Sequence, residues 1–222
     1  MIYLTGDTHG GMERFQSKEA KQLKKGDTLI ICGDFGFIWD GSKGEEKHLK
    51  WLGKRRYTIA FVEGTHDNLD RLAAYPEEEW NGGKIHRISG NLIHLMRGEC
   101  YRVEGKTIFA FGGGESPDIE LRREGESWWP QEMPTQEEIA HGEESLAQLG
   151  NRVDLIVTHE CSGRLYRFLN PQGERSNLLG AFFDRVSESC EYRLWAFGSC
   201  HLDKRIPPKT RALFQEIVPF EG

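Results

Sequence analysis

Apolar positions along the chain cluster in short runs, and five of these share one ending. Ile2–Thr5, Thr28–Cys32, Thr58–Val62, Val153–Thr158 and Leu194–Phe197 are rich in β-branched or aromatic residues, and each gives way at once to Gly, Asp or His. That composition and length predict strands. Between them lie helix-like stretches near Met12–Leu23, Glu45–Trp51, Asn68–Ala74, Gln136–Leu149 and Leu178–Ser187. Alternation of this kind reads as βαβ units and an α/β fold. The middle differs: Ile85–Ser89, Leu92–Leu95, Cys100–Val103 and Thr107–Phe111 are short strands, with "EGK" at 104–106 as a compact turn. Hairpins there make the sheet a mixed one. From Gly112 to Pro134 the periodicity breaks into glycine, proline and charge around Trp128 and Trp129. That excursion reads either as a functional loop near the working face or as two tryptophans plugging the core edge.

Length and charge narrow the function. At 222 residues, without repeats or a long linker, the chain is expected to form a single domain over residues 1–222. A net charge of -6 gives no reason to expect nucleic acid, whereas a small phosphate ester is compatible. With no run of 18 apolar residues and no leader-like N-terminus, the expected location is cytoplasmic, away from membranes. Five cysteines without CxxC spacing argue against a disulfide framework or a structural zinc site. Nothing in the pattern sets an oligomeric state.

Polar residues just past the carboxyl ends of several strands converge in such sheets. Here they are Asp7 and His9, then Asp34 in "CGDFG", His66 and Asp67 in "EGTHDN", His159 in "THE", and His201 in "FGSCH". Singly, each reads equally as a helix cap or a satisfied buried donor. Together, five strand ends that show only Asp and His depart from capping, which draws as readily on Ser, Thr and Asn. Alternate positions of an extended segment face one side, so Asp7 and His9 reach one ion together. Mixed nitrogen and oxygen ligation suits manganese, iron or zinc, with manganese favoured here. Two such ions about 3.5–4 Å apart clamp a phosphate and acidify a water for in-line attack.

The strings "GDTHG", "GDFG", "GTHDN", "THE" and "GSCH" resemble, in order and spacing, the five motifs of the calcineurin-like metallophosphoesterases: D-x-H, G-D, G-N-H-D/E, a lone His, and G-H-x-H. The resemblance implies a four-layer α/β/β/α sandwich of two mixed β-sheets flanked by helices, and a centre of one or two divalent ions. It implies that Asp7, His9 and His201 hold the first metal, that Asp34 bridges, and that His159 holds the second. It also implies that His66 sits beside the phosphate, stabilising the transition state or protonating the leaving oxygen, with Asp67 orienting it by a hydrogen bond.

Two positions depart from that pattern. Thr65 stands where the family has Asn, and Ser199 where it has the first His of G-H-x-H. Both missing ligands belong to the second ion, so hydroxyls from Thr65 and Ser199 leave that ion weak, water-rich or absent. Glu160, Cys161, Cys200 and Asp203 are the candidate replacements, although alternation with Ser199 and His201 points Cys200 away from the metals.

The expected activity is metal-dependent hydrolysis of a phosphomonoester or phosphodiester by metal-activated water, a phosphatase or phosphodiesterase reaction. The competing reading is a catalytically impaired relative that binds phosphate or nucleotide, or regulates. A nuclease is disfavoured by the acidic charge. Selectivity falls to loops 112–134 and 161–177, whose Arg122, Arg123, Arg164, Arg167 and Arg175 read as solvated surface unless one meets a phosphate. "WNGGK" at 80–84 reads as a turn rather than an anion nest, and His48, His86, His94 and His141 as surface or core residues.

Overall fold

The computed structural model describes residues 1–172 and 176–221. Strands β1 (Ile2–Thr5), β2 (Thr28–Cys32), β3 (Thr58–Val62), β4 (Glu77–Trp80), β5 (Gly83–Ser89) and β6 (Leu92–Leu95) build most of one sheet. The second consists of β7 (Glu99–Val103), β8 (Lys106–Phe111), β9 (Leu155–Thr158), β10 (Leu194–Phe197), β11 (Lys204–Ile206) and β12 (Thr210–Ala212), after which β13 (Val218–Pro219) returns to the first. The strand orders are β13-β1-β2-β3-β6-β5-β4 and β11-β12-β10-β9-β8-β7. Each sheet has a parallel centre, β1-β2-β3-β6 and β12-β10-β9-β8, with antiparallel strands at its edges. The single mixed sheet read from strand pattern alone is therefore two.

Period-2 alternation sorts the side chains into layers. Along β2, Ile30 and Cys32 face the other sheet while Leu29 and Ile31 face outward; along β8, Ile108 and Ala110 face inward while Phe109 and Phe111 face outward. Between the sheets, the seam is apolar and includes the small residues Ala60, Ala110 and Ala196. Outside the first sheet lie α1 (Glu13–Gln16), α2 (Lys18–Gln22), α3 (Lys43–Gly53) and α4 (Leu69–Ala73), of which α3 buries Leu49 and Leu52. Outside the second lie α5 (Gln136–Gln148) and α7 (Leu178–Ser189), whose Leu179, Phe182, Phe183 and Val186 pack on β8 to β10. Helix α6 (Gly163–Leu169) covers a smaller cluster around Phe197. The result is the four-layer sandwich expected from the resemblance.

Several boundaries differ for identifiable reasons. The stretch 12–23 is two helices because Ser17 is extended and its hydroxyl accepts from Ala20 N–H, capping α2. Strand β4 carries Glu77, Glu78 and Glu79 and is exposed, which suits an edge strand but hides it from an apolar-run reading. Residues 80–84 form the β4–β5 hairpin turn, with Asn81 and Gly82 at φ 52° and 92°. Trp129 is 1% exposed, donates to Asp70 and meets Trp39 edge-on, so it plugs the core, whereas Trp128 is half-buried. No described helix is long and apolar enough to cross a membrane.

Candidate metal centre

Strand register sets the centre. Phe111, Thr158 and Phe197 pair side by side at the ends of β8, β9 and β10, so the residues that follow leave the sheet in a row. In the first sheet Thr5 pairs with Ile31 and Cys32 with Val62, which brings the loops after β1, β2 and β3 together. Those loops are laced by backbone bonds: Thr8 and His9 donate to Asp34 O at 3.0 and 2.9 Å, and Gly10 donates to Phe35 O at 3.0 Å.

The side chains converge accordingly. Three groupings bring ligand atoms within 4.8 Å of one another: Asp7, His9 and His201; His9, Asp34 and His66; and Asp7, Asp34 and His159. His9 Nε2 lies 3.0 Å from His201 Nε2, which in turn is 3.3 Å from Asp7 Oδ2. His159 Nδ1 is 3.5 Å from Asp7 Oδ1, and its Nε2 is 3.5 Å from Asp34 Oδ1. Asp34 also accepts from Thr65 N, His66 N and His66 Nδ1 at 2.6, 2.9 and 2.7 Å. Asp7, His9 and His201 form one group, and Asp34 belongs to the two others.

The local backbone is strained toward this end. Among the described residues, seven non-glycine residues have positive φ, and four of them are here: His9 at 45°, Asp34 at 39°, Ser199 at 58° and His201 at 49°. Two glycines make room for ligands. A Cβ on Gly33 (φ 97°) would lie 2.0 Å from His159 Nδ1, and one on Gly198 would lie 2.1 Å from Asp7 Oδ1.

The electrostatics favour a cation. Burial opposes charge on Asp7, but His159 and His201 outweigh it and hold the carboxyl below its usual range. Asp34 is lowered despite its burial, through His159 and His66. Burial works against an imidazolium at His159, yet Asp34 and Asp7 push it up to about 10. His159 Nδ1 is buried with no hydrogen-bond partner, and the His9 and His201 nitrogens face each other. A divalent ion satisfies each of these features, so the donor set fits one.

The departing positions contribute through their backbones. Thr65 N–H holds Asp34, and its hydroxyl sits 3.3 Å from His66 Nδ1. Ser199 N–H holds both oxygens of Asp7, at 3.2 and 3.0 Å. The proposed replacements do not join the groupings among the described residues. Asp203 is committed to the N–H groups of Phe214, Gln215 and Glu216, accepting from them at 2.8, 2.9 and 3.2 Å. Glu160 accepts from Glu115 N–H at 2.7 Å. Cys161 belongs to the apolar cluster with Phe197, and Cys200 packs against that cluster. Asp67 needs a correction: its carboxylate does not bond His66 but accepts from Gly36, Gly64 and Phe35 N–H at 2.8, 3.0 and 3.3 Å. Full burial and the nearby Asp34 charge push it up to about 6, and it braces the loops that carry Asp34 and His66.

Arg122 is the residue that sequence reasoning undervalued. Its side chain is 11% exposed, its Nε donates to Asp118 at 2.7 Å, and its Nη1 donates to Thr65 O and Ser127 O at 3.1 and 3.3 Å. Its Nη2 lies 3.4 Å from His66 Nε2. Only its place in the glycine-rich excursion hinted at this. Arg123, Arg164 and Arg167 are exposed as expected, and Arg175 lies outside the described residues. Beside the centre opens a cavity of ≈ 400 Å³ lined by Asp34, Thr65, His66, His159, Glu160 and Ser199 among others, a size that suits a small ligand.

A family model described as calcineurin-like phosphoesterase matches residues 1–163. No curated protein matches the chain. The matched span carries Asp7, His9, Asp34, His66 and His159, and the fold adds His201 from beyond it. With well over half its length matched and the two sheets in place, the chain belongs to the calcineurin-like phosphoesterase family.

Proposed function

We propose that the protein is a metal-dependent phosphoesterase that hydrolyses a small phosphomonoester or phosphodiester by direct attack of water. The observation that carries this reading is the convergence of Asp7, His9, Asp34, His159 and His201, with an unpartnered buried imidazole nitrogen, beside a cavity of ligand size. Divalent ions, manganese by preference, supply positive charge against the phosphate and lower the pKa of water there. Asp7, His9 and His201 would hold one ion, Asp34 would reach both, and His159 would serve the second. His66 has its Nδ1 engaged by Asp34, so Nε2, which Arg122 Nη2 meets only at 3.4 Å, is the atom to turn to the ester. From there it is placed to hold the proton that the leaving oxygen takes. Asp67 keeps Gly36 and Gly64 in position and so fixes both His66 and Asp34.

Thr65 and Ser199 favour a second reading, in which a weakened second ion leaves a binding or regulatory protein. The test is elemental analysis of freshly purified protein together with turnover of chromogenic mono- and diesters in added manganese. Bound metal and hydrolysis support the enzyme; bound metal without hydrolysis, reversed in the double variant Thr65→Asn with Ser199→His, supports the second reading. If the native protein turns over and the double variant is no faster, the centre works in its altered form.

A further inference from the structure

We propose that Arg122 is a phosphate-binding residue that selects monoesters over diesters at this centre, an inference that rests on the phosphoesterase reading. Three sides of its guanidinium are already committed: Nε to Asp118, and Nη1 to the carbonyls of Thr65 and Ser127. Those bonds fix the plane of the fork before any ligand arrives, so little is lost in ordering it on binding. What remains is Nη2, which reaches His66 Nε2 at 3.4 Å with one N–H and has a second N–H to offer. The preset cation therefore sits beside His66, the ring that lines the cavity, with one N–H of Nη2 still to give. Thr65 links the two, since its carbonyl accepts from Arg122 and its N–H holds Asp34.

Charge gives the arrangement its selectivity. Glu160 lines the cavity and Asp34 borders it, so an anionic ester enters against carboxylates and needs a cation besides the ions. A phosphomonoester carries about one more negative charge than a diester near neutral pH and has a third terminal oxygen. That oxygen accepts from Arg122 Nη2 in a charge-assisted bond. A diester replaces it with a second ester group, which has neither the charge nor the acceptor strength.

The experiment uses the full chain loaded with manganese. Inorganic phosphate is titrated calorimetrically into the native protein, Arg122→Gln and Arg122→Lys, and the kcat/KM ratio of p-nitrophenyl phosphate to bis(p-nitrophenyl) phosphate is measured for each. Expected for Arg122→Gln is phosphate binding at least tenfold weaker and monoester kcat/KM down about 10²-fold, with the diester changed by a few-fold at most. Arg122→Lys, which keeps the charge but not the fork, should fall between. Unchanged phosphate affinity, or an equal loss for both esters, overturns the assignment. A readout on the unsubstituted protein, loaded with diamagnetic zinc, covers variants that do not fold: the Arg122 Nε–H resonance should shift on saturation with phosphate, and an unmoved resonance overturns it. If no ester is hydrolysed at all, the phosphoesterase reading fails, while the titration and the resonance still decide whether Arg122 binds phosphate.

Discussion

At the scale of single residues, the centre depends as much on absent side chains as on present ones. Gly198 lets Asp7 approach the end of β10, and a methyl there meets both Asp7 Oδ1 and Cys32 O at 2.1 and 2.2 Å. The backbone carbonyl does not rotate away, so Gly198→Ala should displace Asp7. Metal affinity is then expected to fall at least about tenfold, as when an outer partner of a ligand is lost, and elemental analysis at limiting manganese reads this directly. Undiminished metal in the variant would show that Asp7 is not a ligand. The Asp and His positions were legible because each follows an apolar run, where register leaves it at the sheet's edge. The partners of those side chains were not. Asp67 bonding to Gly36 and Gly64, and Asp203 capping 214–216, depend on which backbone N–H groups point inward, and spacing does not encode that.

At the scale of elements, the excursion from Gly112 to Pro134 combines a plug, an arm and a buried acid. Trp129 fixes it to the core and Arg122 reaches back to His66. Glu132 is 2% exposed; its Oε2 accepts from Ser116 Oγ at 2.6 Å, and its Oε1 has no partner. Burial pushes its carboxyl up to about 7, against an ordinary value of 4.5. Between these two values the folded chain holds a proton that the unfolded chain has released. Stability is therefore greater at low pH and is lost as pH rises through about 7. Glu132→Gln should remove this loss, raising the melting temperature relative to native at pH 8 by the equivalent of about 2 kcal/mol and far less at pH 5. The same melting difference at both pH values would rule out Glu132 as the titrating group. Strand β4 and helix α6 escaped the sequence reading because one is a run of exposed glutamates and the other is only seven residues long, opening on Gly163 after a Ser162 cap, with its apolar positions confined to Leu165, Phe168 and Leu169.

At the scale of the whole molecule, the residues of the candidate centre divide between the two sheets. Asp7, His9, Asp34 and His66 follow strands of the first, and His159 and His201 follow strands of the second. The four-layer arrangement became legible only through the motif resemblance, because alternation along β2 or β8 shows two buried faces without saying what covers each. A second tie lies just behind the centre. Buried Glu63 accepts from His94 Nε2 at 2.7 Å and from Arg97 Nε, its carbonyl accepts from Gly113 N–H at 2.9 Å, and His94 meets His86 at 3.0 Å. His86 and His94 lie on strands β5 and β6 while Glu63, Arg97 and Gly113 lie in the loops after β3, β6 and β8, with no common spacing, which is why the two histidines looked unremarkable. On the proposed assignment, ligands from both sheets meet on the same ions, so metal should stabilise the entire fold. Free manganese at 100 times its dissociation constant is expected to add about 2.7 kcal/mol, seen as one cooperative melt that shifts upward with manganese and back with chelator. A melt indifferent to manganese that is demonstrably bound would mean that the ions sit on one sheet alone.

Ala60, Ala110 and Ala196 at the seam turn this division into a matter of mechanical tolerance. These small side chains on strands β3, β8 and β10 sit among larger seam residues such as Leu4, Ile30 and Leu155, in the layer from which the loops carrying Asp34 and His159 emerge. A larger residue at any of the three would press on the facing sheet and disturb the candidate centre without touching it.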